Sequence, residues 1–394
     1  DATDVLSLTI NGIKIKEDLT YGKTSESYIG HQLVKVGDLV FTPRDFDQTP
    51  ILSDVSKYDG CISNLYIVDK PNNEFLPEYI NYFWYGLKYS FDYFKNFSYG
   101  IRFSFNRQQF DEIPILKPSL DEQKIICTYL DIRLKYLDTL VDKVYSKIGL
   151  LTEQRTAIVN HFITKGLDPN VEMKDSGIEW IGQIPNHWGV KKLKHFAKIY
   201  GRIGYRGYTV DDIVSEGKGA ITLGPGNIKD NKLNLLQRTY ISNKKYEESP
   251  EIQIFPNDVI FVKTGSTIGK SCIVEDQLDK MTLNPQMVVL KDILINNKFF
   301  FYQTTTQFFQ NFFETEKAGG STPTISQEKI RNFPMLNVPV NEQEEIVNYL
   351  NFRIKKIEDL INLNQQKIKS INEYRQSLIS SVVTGKVRVT KDMI

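Results

Sequence analysis

The sequence predicts an α+β protein with two similar globules, each built from small sheets and helices, and two long helices. One observation is an internal repeat: the chain aligned with itself gives identities at the constant offset 342 − 122 = 220 residues, without a gap. The other is a run of apolar residues at alternating steps of four and three at the end of each repeat, which indicates a coiled-coil helix. The chain is therefore expected to run globule, helix, globule, helix.

The repeat includes both the helices and the globules. The identical helix pairs are Glu122/Glu342, Gln123/Gln343, Tyr129/Tyr349, Leu130/Leu350, Arg133/Arg353, Leu140/Leu360, Lys147/Lys367, Glu153/Glu373, Arg155/Arg375 and Thr164/Thr384. Identical globule pairs include Asp38/Asp258, Phe41/Phe261, Asn64/Asn284, Tyr82/Tyr302, Gly100/Gly320 and Pro114/Pro334. The predicted boundaries are 1–117 for the first globule, 118–165 for the first long helix, 166–338 for a linker and the second globule, and 339–394 for the second helix and a tail.

The two globules are expected to differ at the amino-terminal side. Residues from about 173 to 219 of the second globule would align before residue 1, so the first globule is expected to lack roughly 45 residues. The chain also opens at Asp1 without an initiator Met, which indicates processing, trimming or a partial chain.

The first globule begins with the alternating runs LSLTI, HQLVKVGDLVF and GCISNLYIV, which predict strands. Residues 77–97 and their counterpart 296–313 carry aromatic side chains at helical spacing, which predicts one amphipathic helix in each globule. This spacing favours core packing, and base stacking is the alternative. A polar, Gly-containing loop follows each helix and is expected to be an exposed tip.

Each long helix has start and stop signals. Ser119 with Glu122, and Asn341 with Glu344, have capping-box spacing, and glycines follow at Gly166 and Gly385. The apolar seam of the first helix is Leu130, Leu134, Leu137, Val141, Val144, Ile148, Leu151, Ile158 and Phe162, and that of the second is Leu350, Ile354, Ile357, Ile361, Ile368, Ile371, Leu378 and Val382. Because the seams match, the helices are expected to form an antiparallel coiled coil with pseudo-twofold symmetry.

Polar residues interrupt both seams at Arg155, Arg375 and Asn364. Such residues fix the register of a coiled coil at a cost in stability. The alternative is that Arg155 and Arg375 bind a partner protein. Gly149, in the middle of the first helix, indicates a local bend or a close approach of another helix.

Composition excludes several classes of protein. With 41% hydrophobic and 25% charged residues, and no apolar run of about 18 residues, the chain is predicted to be globular and without a membrane span. Cys61, Cys127 and Cys272 form no CxxC pair, which fits free thiols in a reducing cytoplasm. The net charge is only +1, and the first globule is acidic while the second is basic, so any contact with nucleic acid must depend on local patches.

Two Gly-rich loops of the second globule carry basic and hydroxyl side chains. Gly265 to Ser271 resembles a phosphate loop but has three residues between its glycines instead of four, and a strand-like SCIV follows it. It is therefore interpreted as a tight turn between strands. The loop from Gly201 to Thr209 has the composition of a contact to phosphates and base edges, and an ordinary solvated loop is the alternative.

Residues for catalysis are not found in the sequence. Asn284-Pro285-Gln286-Met287 lacks the second proline and the aromatic residue of an amino-methyltransferase motif, and Glu172-Met173-Lys174 lies in the linker instead of on a nuclease strand. The four histidines have no metal-ligand spacing. Neither a catalytic site nor a metal site is predicted.

The chain resembles the specificity subunits of type I restriction-modification systems. The resemblance is carried by SGIEWIGQIPNHWGVKKL (176–193), KTGSTIGK (263–270), GGSTPTISQEKIRNFPMLNVPVNEQEEIVNYL (319–350) and its counterpart ending in LKPSLDEQKIICTYL. It implies that each globule is a target recognition domain that reads one half of a split sequence in double-stranded DNA. It also implies that the helix pair sets the spacing and docks two methyltransferase subunits, which restriction subunits then join. AdoMet and ATP are expected in those partners, so no cofactor is expected in this chain.

Candidate contacts follow from the polar loops and from this resemblance. The predicted DNA-binding residues are Arg44, Arg102, Arg107, Arg202, Tyr205, Arg206, Lys263, Thr264, Ser266, Lys270 and Ser321, and the predicted partner-binding residues are Arg155 and Arg375. The first globule has PRDFDQTP where the second has KTGSTIGK, so the two are expected to read DNA differently. Two other functions stay open: a coiled-coil scaffold whose globules bind proteins, and the recognition part of a fused restriction enzyme.

Overall fold

The computed structural model describes residues 4–17, 30–44, 51–91, 93–94, 106–202, 204–276, 279–318 and 322–394. The chain forms two compact units. Unit 1 comprises Asp1–Lys147 with Asn362–Ile394, and unit 2 comprises Ile148–Ile361. These units cut across the predicted boundaries, because each globule packs with one part of each long helix.

The described part of unit 1 contains short strands, two shorter helices, the first part of one long helix and the last part of the other. In chain order its elements are β1 (Leu6–Thr9), β2 (Gly12–Ile15), β3 (Gln32–Val34), β4 (Leu39–Phe41), β5 (Ser53–Val55), β6 (Gly60–Ile62), β7 (Ile67–Asp69), α1 (Pro77–Phe91), α2 (Arg107–Asp111) and α3 (Leu120–Lys165). Strands β1 and β2 form a hairpin, β3 pairs with β6, and β5, β4 and β7 form a three-stranded antiparallel sheet. The predicted strands of the first globule are thereby confirmed.

The aromatic residues of α1 belong to the core of unit 1. Phe41 on β4, Trp84 on α1 and Phe110 on α2 contact one another with ring centroids 5.1 Å apart in each pair. Phe41 is fully buried and Trp84 nearly so. The core interpretation is therefore confirmed for these rings, since base stacking would require exposed faces.

Unit 2 contains the larger set of sheets. Besides the last part of α3, its elements are β8 (Met173–Asp175), β9 (Gln183–Pro185), β10 (Gly189–Lys192), β11 (Lys198–Gly201), β12 (Ile213–Val214), β13 (Ala220–Leu223), β14 (Ile228–Lys229), β15 (Lys232–Leu233), β16 (Tyr240–Ile241), α4 (Asn243–Glu247), β17 (Val259–Val262), β18 (Ser271–Ile273), β19 (Met281–Leu283), β20 (Met287–Lys291), α5 (Asn297–Thr304), α6 (Gln307–Glu316), α7 (Gln327–Arg331), β21 (Pro334–Asn337) and the first part of α8 (Val340–Val383). One four-stranded sheet has the order β11-β20-β17-β18, and another has the order β12-β16-β13-β19 with β13 parallel to β19. Strand β10 pairs with β21.

The prediction of one aromatic helix in unit 2 is wrong, because the structure has two helices in this segment. Helix α5 ends at Thr304 and α6 begins at Gln307. The three threonines at this junction bond back to carbonyls three residues earlier, as Thr306 Oγ1 does to Gln303 O at 2.6 Å, and such bonds compete with the helical pattern. The side chain of Asn160 on α3 then accepts a hydrogen bond from Gln307 N at 2.8 Å, which caps α6 from outside.

Both predicted seams are confirmed, since every seam residue named above is buried or half-buried. In unit 1, Asp138 on α3 pairs with Arg375 on α8, while Ile126 and Val382 line one pocket. In unit 2, the rings of Phe162 and Tyr349 lie 4.6 Å apart, and Arg155 faces Glu358. In each unit, then, residue numbers rise along one helix as they fall along the other, so the two helices run antiparallel.

The ends of the helices differ from the prediction in one case. Ser119 and Glu122 form a capping box, with Ser119 N donating to Glu122 Oε2 at 3.1 Å and Glu122 N donating to Ser119 Oγ at 3.3 Å. The predicted box at Asn341 and Glu344 is wrong, because α8 begins at Val340 and Asn341 lies inside it. Pro339 stands at the counterpart of Ser119 (119 + 220 = 339) and has no side-chain acceptor to offer.

Gly149 does not mark a close helix approach. Helix α3 is continuous from Leu120 to Lys165, and no heavy atom lies within 4 Å of the place where a Cβ of residue 149 would be. That part of the prediction is wrong.

Among the described residues, no helix is long and apolar enough to cross a bilayer.

Candidate nucleic-acid interface

In unit 2 the loops at one edge of the sheets converge. Strands β11, β17 and β19 end there, and β18 and β20 begin there, as the registers Gly201↔Val288, Phe261↔Ser271 and Val262↔Met287 show. We call this surface the loop face, and it comprises residues 202, 204–208, 224–227, 263–270, 284–286 and 322–325. It brings together loops that are more than 100 residues apart in the sequence.

Backbone hydrogen bonds join the two main loops of the loop face. Gly265 N donates to Pro323 O at 2.8 Å, and Ile325 N donates to Lys263 O at 3.0 Å. The hydroxyls of Thr264 and Thr324 lie 2.7 Å apart. The loop 263–270 and the segment that follows residues 319–321 are therefore one platform, although the sequence analysis treated them separately.

Glycines allow the loop 263–270 to turn. Gly265 and Gly269 have φ of 110° and 86°, a region that L side chains rarely adopt. A Cβ at Gly269 would also lie 2.7 Å from Gln310 Oε1. Strand β18 begins directly after the loop at Ser271, so the interpretation as a turn between strands, instead of a phosphate loop that opens a helix, is confirmed.

Lys263 is the cation at the base of this platform. Its side chain is half-buried, and burial lowers the pKa of the ammonium below its ordinary value. Within the described ranges no carboxylate forms an ion pair with it. The ammonium has thus lost water without gaining an anion, which favours binding of an external acceptor. Ser266 and Lys270 are exposed on the same loop.

Gln286 and Asn284 are not among the predicted DNA-binding residues, although both lie in the segment that was compared with an amino-methyltransferase motif. Asn284 Oδ1 accepts a hydrogen bond from Gln286 N at 2.9 Å, and its Nδ2 lies 3.4 Å from Gln286 Oε1. The two amides are therefore held in place, half-buried at the loop face. The Asn-Pro-Gln sequence between two strands was the available signal.

Arg202 is corrected from a DNA contact to a structural residue. It is 4% exposed, and its guanidinium donates to Leu283 O at 2.9 Å, to Thr282 Oγ1 at 3.1 Å and to Arg206 O at 3.2 Å. Desolvation lowers its pKa. All of these partners are internal, so Arg202 supports the loop that carries Arg206 and does not reach an external ligand.

Arg206 is half-buried, and its Nη1 lies 3.6 Å from Glu251 Oε1. This distance is long for a hydrogen bond, so the guanidinium is attracted to Glu251 without being locked to it. The side chain of Tyr205 and residue Ser321 lie outside the described part of the structure, and their predicted roles stay predictions.

The corresponding surface of unit 1 is described only in part. Arg44 is exposed three residues after β4 ends, while Arg102 lies outside the described residues. Arg107 is bound to its own globule, since its guanidinium lies 2.8 Å from both Asp69 and Asp111 and donates to Val68 O. Arg107 thus stabilises the start of α2, and its availability to DNA depends on breaking those ion pairs.

The two seam arginines bind carboxylates on the opposite helix. Arg155 Nη1 lies 4.0 Å from Glu358 Oε1, and Arg375 pairs with Asp138. These pairs are equivalent under the repeat, because 155 + 220 = 375 and 138 + 220 = 358. This symmetry favours the register interpretation, and binding of a partner by the same side chains stays a prediction.

The described residues contain no group of three or more His, Cys, Asp and Glu that could hold a metal ion. Cys61, Cys127 and Cys272 are free and buried. Burial raises the pKa of the Cys127 thiol and of the Cys272 thiol to about 12, so neither is suited to nucleophilic chemistry at neutral pH.

Comparisons with known proteins find relatives that share one description. Residues 185–373, which include the loop face, match the family model of the type I restriction modification DNA specificity domain. The type I restriction enzyme MjaVIII specificity subunit of Methanocaldococcus jannaschii is 23% identical over 340 residues, covering 84% of this chain and 75% of the relative. The MjaX specificity subunit of the same organism is 23% identical over 295 residues, covering 72% of this chain and 61% of the relative.

A solved structure from work on complex assembly and conformational transition of the type I R-M system has a similar fold. It superimposes with a TM-score of 0.62 at 16% identity, over 90% of this chain and 84% of that chain. This superposition shows a shared fold, and residues 185–373 match a DNA specificity domain. The chain is similar to the specificity subunits of type I restriction-modification systems, and the family model matches 189 of its 394 residues.

Proposed function

We propose that the loop face of unit 2 reads one part of a double-stranded DNA target, and that the corresponding surface of unit 1 reads another part. The proposal further assigns to the helix pair the spacing between the two parts and the docking of two methyltransferase subunits, to which restriction subunits are added. The chain itself is proposed to be non-catalytic, with AdoMet and ATP bound by those partners.

The observation that carries the proposal is Lys263. Lys263 is half-buried and has no ion pair among the described residues, and its backbone N donates to Gln286 O at 2.9 Å. The hydroxyls of the adjacent Thr264 and of Thr324 lie 2.7 Å apart on the same platform. These are the side chains that read base edges in the major groove, where Lys donates to guanine and Gln can pair with adenine in a bidentate manner. The exposed Lys270 at the rim suits a phosphate.

The composition of the loop face also explains how a chain with net charge +1 can bind DNA. The cations Arg206, Lys263 and Lys270 belong to one small surface, so the local potential is positive although the whole molecule is nearly neutral. Arg202 contributes by holding the backbone of the Arg206 loop. Binding is then expected to depend on salt in proportion to the few phosphates that are contacted.

The proposal is tested on the complex of this chain with its methyltransferase subunits. Mapping of methylated adenines in cells gives the target, and fluorescence anisotropy then measures Kd for a duplex that carries it. Lys263→Met keeps the aliphatic length and removes the charge, and we expect a loss of about 1–3 kcal/mol, roughly 5- to 150-fold in Kd, if Lys263 contacts a base.

Lys194→Met is the matched control. Lys194 is exposed in unit 2 but precedes β11, whereas the loop face lies where β11 ends. Its replacement is expected to leave Kd within about twofold. Equal affinities of the two variants over a range of salt concentrations would remove the loop face from the DNA interface. If the unmodified complex instead binds DNA weakly and independently of salt, the result would favour a protein-binding scaffold.

A further inference from the structure

Within unit 2, a β-hairpin of the globule reaches the second long helix. Strands β14 and β15 are joined by Asp230 and Asn231, whose φ angles are 52° and 62°, as a tight two-residue turn of type I′ requires. Directly after this turn, Lys232 Nζ lies 2.6 Å from Glu358 Oε2 on α8. The base of the hairpin is held by the core, because Ile228 is buried there.

Glu358 links three parts of unit 2. Its Oε2 binds Lys232 of the hairpin, and its Oε1 faces Arg155 on α3 at 4.0 Å. The side chain of Glu358 is only 25% exposed and that of Arg155 17%, so this carboxylate is less screened by solvent than most surface carboxylates. One carboxylate thus connects the globule with both long helices.

Unit 1 has the equivalent hairpin but lacks this connection. Gly12 stands at the counterpart of Lys232 (12 + 220 = 232), in the hairpin formed by β1 and β2. The hairpin is bound to its own globule instead, because Ile13 N donates to Asp54 Oδ2 at 2.9 Å. A Cβ on Gly12 would lie 2.5 Å from that same oxygen. The tip residue Ile10 is 72% exposed.

We propose that Lys232 and Glu358 are positioning residues, which hold the second recognition globule in one orientation on the helix pair and so restrict the spacer length that the protein accepts. We call this ion pair the brace. The inference rests on the proposed reading of a two-part DNA target. The hairpin, whose base is bound in the core, transmits the position of α8 to the sheets that carry the loop face.

Loss of the brace is expected to change the preference for one spacer length more than the affinity for the natural target. At the natural spacer length the globule already has its preferred orientation, so loss of the ion pair changes Kd by less than about twofold. A target whose spacer is one base pair longer or shorter requires the globule to turn, and the brace opposes this. Its loss should reduce the preference for the natural spacer by roughly threefold to fivefold, the size expected for one partly exposed ion pair.

The test uses the complex with its methyltransferase subunits and three duplexes: the mapped target, and the same target with its spacer lengthened or shortened by one base pair. Lys232→Met removes the brace, and Lys232→Arg is expected to restore it. Lys198→Met is the matched control, because Lys198 has an equally exposed side chain (66% against 65%) and pairs at 2.9 Å with Asp292, which follows the neighbouring strand β20. This pair does not involve a long helix.

The expected result is a lower spacer preference in Lys232→Met alone, with normal preference in Lys232→Arg and Lys198→Met. Unchanged spacer preference in Lys232→Met would overturn the brace while leaving the proposed function intact. An equal loss in Lys198→Met would also overturn it, because any weakening of the globule would then suffice. A methylation map without a two-part target would overturn the proposed function itself.

Discussion

Units 1 and 2 share the contacts that join each globule to a long helix, but differ in the strands around them. Gln123 Oε1 accepts from Leu76 N at 2.7 Å, and its counterpart Gln343 accepts from Asn296 N at 2.9 Å, where 76 + 220 = 296. Tyr82 likewise donates to Asp131 on α3, as Tyr302 donates to Asn351 on α8 at 2.7 Å. These polar contacts between globule and helix are thus the constant part of the repeat, and the buried Gln123 and Gln343 are paired in both units.

The strands differ where the described part of unit 1 offers no partner segment. In unit 2, β21 is a strand because β10 pairs with it. The counterpart in unit 1, residues 114–117, is not in a strand, and the described part of unit 1 contains no segment aligned with β10. An extended segment therefore becomes a strand only when a neighbour satisfies its backbone groups. The contacts between globule and helix join residues fewer than 50 positions apart in both units, whereas β21 depends on β10, more than 140 positions earlier.

Two of the three buried thiols, Cys127 and Cys272, provide the largest expected effect, and they report on the units separately. Cys127 lies in unit 1 and Cys272 in unit 2, and burial raises each pKa to about 12. At pH 8 the native thiolate fraction is then roughly 1,000-fold below that of an unfolded cysteine. We expect alkylation of both thiols, followed by mass spectrometry, to be slowed at least this much in native buffer.

The same shift gives the direction of the pH dependence. Because folding raises the pKa of both thiols, their burial in the neutral form contributes fully to the free energy of unfolding at pH values below the unfolded-state pKa, which is near 9. This contribution is lost as the pH rises from about 9 towards 12. Labelling at increasing denaturant would show whether the two units unfold together. Rapid labelling of either thiol in native buffer at pH 8 would contradict the burial described here.

Replacement of the buried glutamines tests whether the shared contacts are equally important in the two units. Gln123 bonds three backbone groups, since its Nε2 also donates to Glu74 O and Pro118 O, whereas Gln343 bonds Asn296 N and Val338 O. An unpaired buried group costs about 1–3 kcal/mol. We expect Gln123→Ala to lower the free energy of unfolding by about 3–5 kcal/mol and Gln343→Ala by about 2–4 kcal/mol.

Unit-specific thiol labelling in denaturant measures both losses. Gln123→Ala should shift the midpoint for Cys127, and Gln343→Ala the midpoint for Cys272, if the units unfold separately. Lys124→Ala, an exposed neighbour on α3, is the control and should change little. Losses below about 0.5 kcal/mol in both glutamine variants would show that water replaces these side chains without cost.

The seam arginines should give the smallest effects. Arg155→Met and Arg375→Met each remove one ion pair with a partly exposed partner, while a methionine suits an apolar seam better than a charge. We expect each to change the free energy of unfolding by less than about 1 kcal/mol. Thermal unfolding measures this change. If either variant keeps normal stability but no longer binds a methyltransferase subunit, that arginine contacts a partner instead of setting the register.

Most of the helical framework could be predicted from the sequence alone. A seven-residue pattern depends only on neighbours along one helix, so both seams and the repeat could be found without knowledge of the tertiary structure. The aromatic helix of unit 1 was predictable for the same reason. Its counterpart in unit 2 was predicted as one helix, because the capping of α6 by Asn160 comes from a residue 147 positions away.

The candidate site was predicted only in part. The Gly-rich loop with Lys263 could be identified from its composition, whereas Arg202 resembled a surface contact until its partners Leu283 and Thr282 were known. Exposure of a side chain depends on what other segments place beside it, and a loop sequence does not contain that information. The convergence of five segments at the loop face and the link from Lys232 to Glu358 were therefore decided by the tertiary structure. Seams and turns follow from local periodicity and backbone geometry, while burial and charge pairing follow from contacts between distant residues.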